Sequence, residues 1–148
     1  MEKIRLTKEF HFEMAHALWN YKGACRSIHG HSYKLFITLM GSPVKNSEDP
    51  RNGMVADFSD IKKWIKVPIL DQLDHALLIS KEADTNELSG LSQMFDKLQI
   101  VDYQPTCENL LIDIVHKIQK VLPQHINLHS VKLCETATSY AEWFASDN

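Results

Sequence analysis

Along residues 4–14, Ile4, Leu6, Phe10, Phe12 and Met14 alternate with Arg5, Thr7, Glu9, His11 and Glu13, and only Lys8 breaks the period of two. This is the pattern of a strand with one buried face, and His16 continues the apolar side at its far end. A second alternation begins at His29, with Tyr33, Leu35, Ile37 and Leu39 on one side and Ser32, Lys34 and Thr38 on the other. His29 and His31 therefore share a face, about 6.5 Å apart along the strand. The turn-forming stretch GSPVKNSEDPRNG, residues 41–53, predicts a loop, after which MVAD (residues 54–57) returns as a short strand and hairpin partner.

Asp57 can cap a helix in which Phe58, Ile61, Trp64 and Ile65 recur at steps of three and four, and Pro68 kinks or ends it. A second helix starts at Pro105 and Thr106 and carries Leu110, Leu111, Ile114, Val115, Ile118, Val121 and Leu122 on one stripe before stopping at Pro123. Between them Leu88, Leu91, Met94, Phe95 and Leu98 have helical spacing, weakened by Gly90. The chain ends in alternation again, Val131, Leu133 and Glu135 against Lys132, Cys134 and Thr136, with YAEWF from Tyr140 as a last strand. Hairpins at both ends with helices between them predict an α+β fold, an antiparallel sheet covered by helices on one face.

Length changes this picture little: 148 residues make one domain, spanning 1–148, with no repeat, linker or low-complexity segment. Charge is more restrictive. A net charge of −3 lacks the clustered Lys and Arg of a nucleic-acid or anionic-membrane footprint, so neither partner is expected. The opening MEKIRLTKEF has no apolar signal core, and no run reaches membrane-spanning length, which points to a cytoplasmic protein. Three widely separated cysteines, Cys25, Cys107 and Cys134, suggest reduced thiols rather than a disulfide framework.

The chemistry concentrates in CRSIHGHSY, residues 25–33. If the first two strands pair antiparallel, His16, His29 and His31 converge, and three imidazoles with a fourth position open form a common catalytic zinc set. Cys25, in the loop beside that cluster and next to Arg26, has surroundings that favour a thiolate. It is open to three roles: a fourth metal ligand, a nucleophile or a general base. Asp74 and His75 are adjacent, and sequence neighbours rarely hydrogen-bond face to face, so the pair reads from the residues alone as a solvated Asp beside a helix-end His, with a carboxylate-oriented His the weaker inference. Glu108 in a first helical turn complements the macrodipole. Glu135 falls on the apolar side of its strand, and a buried carboxylate requires donors, which a planar ligand with two adjacent N–H groups would provide.

Taken in order, FHFEMAH, CRSIHGHSY, GMVADFSDIKKWI, LDHALL, PTCENL and VKLCET cover most of residues 10–136. Together they resemble the family of 6-pyruvoyltetrahydropterin and 6-carboxytetrahydropterin synthases. The resemblance implies the tunnelling fold (T-fold), two hairpins and two helices per subunit, assembled as a homohexamer of two trimers. It implies zinc on His16, His29 and His31, Cys25 as the catalytic thiol, and Asp74 and His75 as its proton-relay partners. It further implies that Thr106, Glu108 and Glu135 read the pterin's amide and amino edge, in a pocket formed between subunits.

The compact C-x-x-x-H-G-H spacing resembles the bacterial carboxy branch. This implies a zinc lyase that converts 7,8-dihydroneopterin triphosphate to 6-carboxy-5,6,7,8-tetrahydropterin, with release of acetaldehyde and triphosphate, toward queuosine-type deazapurines. The alternatives are a 6-pyruvoyltetrahydropterin synthase, which keeps the two terminal carbons, and a non-catalytic zinc or pterin-binding oligomer. A cysteine hydrolase would leave the histidines unexplained. The chain departs from the family's pattern at Met14, where a small residue is usual, in a longer segment 82–100, and in the tail ATSYAEWFASDN.

Overall fold

The structure, a computed structural model, describes residues 2–148. Strands β1 (Ile4–His16) and β2 (His29–Gly41) pair antiparallel along their whole length, from Ile4 opposite Gly41 to His16 opposite His29. Strand alternation puts Phe10, Phe12 and Met14 of β1 and Tyr33, Leu35, Ile37 and Leu39 of β2 in the core, with the three histidines continuing that alternation at the strands' far end. A second hairpin, β5 (Asn127–Cys134) with β6 (Tyr140–Phe144), joins the β2 edge and adds Val131 and Leu133 to the core.

Helix α1 (Phe58–Ile65) starts where the Asp57 carboxylate accepts the Ser59 N–H, and it buries Ile61 and Ile65. Pro68 does not end the helical path. The chain widens into a π-turn over Lys66–Leu70 and runs on into the short α2 (Asp71–Leu73). Proline lacks an N–H and clashes with the carbonyl four residues back, and the wider turn relieves both constraints. The long helix α4 (Cys107–Val121), capped by Thr106, lays Leu110, Leu111, Ile114, Val115 and Ile118 on the core. Each such side chain contributes about 1.5–3 kcal/mol on burial.

Two strands depart from the expected order. Ala76–Ser80 forms β3, parallel to β1, and Leu98–Val101 forms β4, parallel to β3, so the sheet is mixed and runs β4-β3-β1-β2-β5-β6. All five residues of β3 are buried, and such a strand has no alternation to read. Leu98, which has helical spacing with its predecessors, instead opens β4, because helix α3 (Thr85–Met94) ends at Met94. Residues 54–57 form no strand either. Both edges of β2 are taken, by β1 and β5, and the segment is held as a turn by Val44 N–H on the Met54 carbonyl and Gly53 N–H on the Val44 carbonyl. Gly53 supplies the positive φ of 84° that the turn needs. Among the described residues, no helix is long and apolar enough to cross a membrane.

Candidate metal and active site

The register of the first hairpin builds the cluster. His16 and His29 end their strands directly opposite each other, and His31 follows on the same face of β2. Their ligand nitrogens all lie within 4.8 Å of one another, and His16 is 3% exposed. The outer ring nitrogens of two of them are occupied: Nδ1 of His16 lies 2.7 Å from the Pro105 carbonyl, and Nδ1 of His29 lies 2.7 Å from the Ser27 carbonyl. A carbonyl only accepts, so each Nδ1 carries its proton in these bonds, and either ring when neutral turns an unprotonated Nε2 inward. Those two Nε2 atoms stand 3.1 Å apart. Ligands about 2.0–2.1 Å from a tetrahedral zinc stand about 3.3 Å from each other, so the residues fit that ion. Burial holds His16 below the ordinary imidazole range, against the raising effects of Pro105 and Glu135, and keeps it in the neutral form a metal requires.

Glu135 lies just past the end of β5 rather than buried within it, with its side chain 23% exposed. Its Oε1 lies 3.6 Å from His16 Nε2 and 3.9 Å from His31 Nε2, and it accepts a 3.2 Å hydrogen bond from the Tyr33 hydroxyl. Tyr33 is fully buried and stacked on Phe12, and its phenol is pushed well above the ordinary range by burial and then by Glu135, so it remains a donor. Thr106 caps α4 by accepting the Asn109 N–H, immediately after the Pro105 carbonyl that holds His16, and Glu108 is exposed in the first turn. The helix start and the histidine cluster are thus fastened together. Cys107 packs with its thiol toward the Leu133 carbonyl and is pushed up to about 12 by burial and by Glu135, as expected of a neutral packing residue.

Cys25 is exposed in a short 3₁₀ turn, Ala24–Arg26, in the loop that joins β1 to β2. Its carbonyl accepts the Leu18 N–H, which closes the loop back on the end of β1. Asp74 and His75 do pair, with Oδ2 3.1 Å from Nδ1, although they are neighbours in sequence. The exception has a backbone cause: His75 adopts φ 59°, which folds its ring back beside the preceding carboxylate. The Asp74 carboxylate also accepts the Glu13 N–H at 2.9 Å, and this bond is the chief reason it is held below the usual carboxylate range.

His75 lines a recess of about 340 Å³ with Glu13, Gly30 and Ser32, residues that alternate with the core-facing positions of β1 and β2. No hydrogen bond or ion pair joins Cys25 to this dyad among the described residues. One chain therefore gathers His16, His29, His31 and Glu135 at the end of the first hairpin, and His31 also lines the recess that His75 enters.

Sequence reasoning missed Tyr33 as part of the site. Its signal was present, because the period of two that pairs His29 with His31 also carries Tyr33 on the same face. The Glu13 backbone had no signal, since its role depends on the β1–β3 pairing.

The sheet, with the three-histidine cluster at the end of its first hairpin, defines a tunnelling-fold protein. The chain belongs to the 6-pyruvoyl tetrahydropterin synthase family, whose model matches residues 5–146. It is 33% identical over 142 residues to the 6-carboxy-5,6,7,8-tetrahydropterin synthase of Haemophilus influenzae, covering 95% of this chain and 98% of that one. It is 34% identical over 108 residues to the human 6-pyruvoyl tetrahydrobiopterin synthase, covering 73% of this chain and 60% of that one. Among solved structures, the Caenorhabditis elegans 6-pyruvoyl tetrahydropterin synthase superposes with a TM-score of 0.70 at 24% identity, over 98% of this chain and 97% of that one.

Proposed function

We propose that this protein is a zinc-dependent lyase that converts 7,8-dihydroneopterin triphosphate and water to 6-carboxy-5,6,7,8-tetrahydropterin, acetaldehyde and triphosphate, toward queuosine-type deazapurines. One observation carries the reading: two inward Nε2 atoms 3.1 Å apart, both fixed by Nδ1–H bonds to backbone carbonyls, beside the carboxylate of Glu135. His16, His29 and His31 would hold the zinc. Zinc bound there supplies Lewis acidity, which acidifies the protons on and beside the substrate's side-chain hydroxyls.

The chain's own residues do the rest. Glu135, oriented by Tyr33, accepts two adjacent N–H groups of the pterin ring, with Thr106 and Glu108 at the neighbouring helix start completing that edge. Cys25 removes a proton, and His75, held by Asp74, transfers another. Among the described residues no hydrogen bond or ion pair joins Cys25 to the dyad within one chain, which favours a division of labour shared with a second copy. A homohexamer built from two trimers, with the pocket between subunits, supplies that copy.

The test is to incubate zinc-loaded protein with 7,8-dihydroneopterin triphosphate, identify the products by mass and assay acetaldehyde separately. The carboxy product with stoichiometric acetaldehyde supports the reading. A second reading, the pyruvoyl synthase, is favoured by the 34% identity to the human 6-pyruvoyl tetrahydrobiopterin synthase, and a product retaining all three side-chain carbons would select it. Zinc and pterin binding with unchanged substrate would leave a non-catalytic oligomer.

A further inference from the structure

The segment 82–100, which leaves the end of β3 and runs into β4, sends one side chain back to the Asp74–His75 turn. Lys97 Nζ donates to the Asp74 carbonyl at 2.5 Å. The lysine is half-buried and forms no ion pair among the described residues. Its own carbonyl accepts the Leu77 N–H at 3.0 Å, and the next residue, Leu98, pairs with Leu77 at the start of β4.

The contact falls on a peptide group with little freedom left. In a trans peptide the C=O and the following N–H point in opposite directions. Here the Asp74 C=O is held by Lys97, and the His75 N–H donates to the Glu13 carbonyl at 2.6 Å. Pinning both ends fixes rotation of the whole unit, and that rotation sets the Asp74 ψ of 124° and the His75 φ of 59°. Without the ammonium only the His75 N–H bond to Glu13 opposes a peptide flip, and such a flip returns His75 to the ordinary negative φ and carries its ring away from the carboxylate. The other polar atoms of Asp74 are also engaged: its N–H on the Leu70 carbonyl, Oδ1 on the Glu13 N–H and Oδ2 beside His75. Lys97 is the side chain that completes the set.

We propose that Lys97 is a positioning residue for the Asp74–His75 pair, and that the long 82–100 segment serves to deliver it. The inference rests on the reading of His75 as a proton-transfer residue. Misplacement of such a group by about 1 Å can cost on the order of 100-fold in rate.

The experiment compares zinc-loaded wild type with Lys97→Met and Lys97→Arg, each also in a His75→Ala background. Lys97→Met should lower kcat roughly 10- to 100-fold with KM within about twofold, and Lys97→Arg, which keeps a donor, should restore most of it. Added to His75→Ala, Lys97→Met should do nothing further. Nitrogen NMR of histidine-labelled protein at pH 8.5, with the His75 signals assigned by His75→Gln, gives a readout independent of turnover. Wild type should show His75 with its proton on Nδ1, and Lys97→Met should show mixed tautomers. Should the Met variant not fold, Lys97→Gln, whose amide is too short to reach, replaces it. An unchanged His75 tautomer in the unclamped variant overturns the proposal, whatever the rates. If wild type makes no product, the lyase reading fails, and the tautomer still decides the role of Lys97.

Discussion

His16 and His29 face each other across the last register position of the β1–β2 hairpin, with their Nε2 atoms 3.1 Å apart and both Nδ1 atoms bonded to backbone carbonyls. With the Nδ1 protons committed outward, neutral rings bring two Nε2 lone pairs face to face, an arrangement that a cation stabilises. Wild-type protein should take up one zinc per chain. At zinc about 100 times the dissociation constant it should gain about 2.7 kcal/mol in stability. His29→Ala should lose most of that gain, and removing zinc with a chelator should reverse it in wild type. Equilibrium dialysis with metal analysis and thermal unfolding measure both. A wild-type protein indifferent to zinc would overturn the assignment of the three histidines.

Cys25 sits in the loop rather than on the histidine face, so its loss should separate binding from turnover. Cys25→Ala should bind zinc and pterin as wild type does, with kcat reduced roughly 10²–10⁴-fold, the usual contribution of a general base. Full turnover by the zinc-loaded variant would remove the thiol from the mechanism.

Tyr33 and Glu135 form a second separable pair. Glu135→Ala should weaken pterin binding roughly 10- to 100-fold, the equivalent of about 1.5–3 kcal/mol of charged hydrogen bonds. Tyr33→Phe keeps the stacking on Phe12 and removes only the hydroxyl, so it should cost less affinity and leave zinc content unchanged. Fluorescence titration with a pterin, alongside metal analysis, reads both. Equal affinity of Glu135→Ala and wild type would move the pterin edge elsewhere.

What was legible in the sequence follows from periodicity. The first hairpin, α1, α4 and the last hairpin each have one buried and one exposed face, so Phe10, Leu35, Ile114 and Leu133 announce themselves by spacing. The same alternation placed His16, His29 and His31 together. The parallel strand β3 was hidden because all five of its residues are buried, and the adjacent β4 because its four residues follow a helical run. The Asp74–His75 contact was discounted on a rule for ordinary backbones that the His75 φ of 59° sets aside. Lys97 was invisible because its contact depends on β4 bringing it back across 23 residues of sequence.

Asp74 also leaves a mark on stability in acid. Its carboxyl is held below the ordinary range, chiefly by the Glu13 N–H and secondarily by His75 and Lys97. A carboxylate whose folded value lies below its unfolded value stabilises the fold at pH above the unfolded value, about 3.9. That contribution is lost as pH falls through the folded value. The stability difference between wild type and Asp74→Asn should therefore be constant from about pH 6 to 8 and shrink below about pH 4. It should be small, because the Asp74 side chain is 44% exposed and solvent screens it. Metal-free protein in chelator must be used, since metal binding competes with protons and would add its own pH dependence. The leading cause is a backbone N–H rather than a side-chain charge, so added salt should leave most of the difference in place. Urea unfolding at a series of pH values, with and without salt, measures it. A difference that stays flat down to pH 3 would show that the Glu13 N–H does not hold the carboxylate in solution.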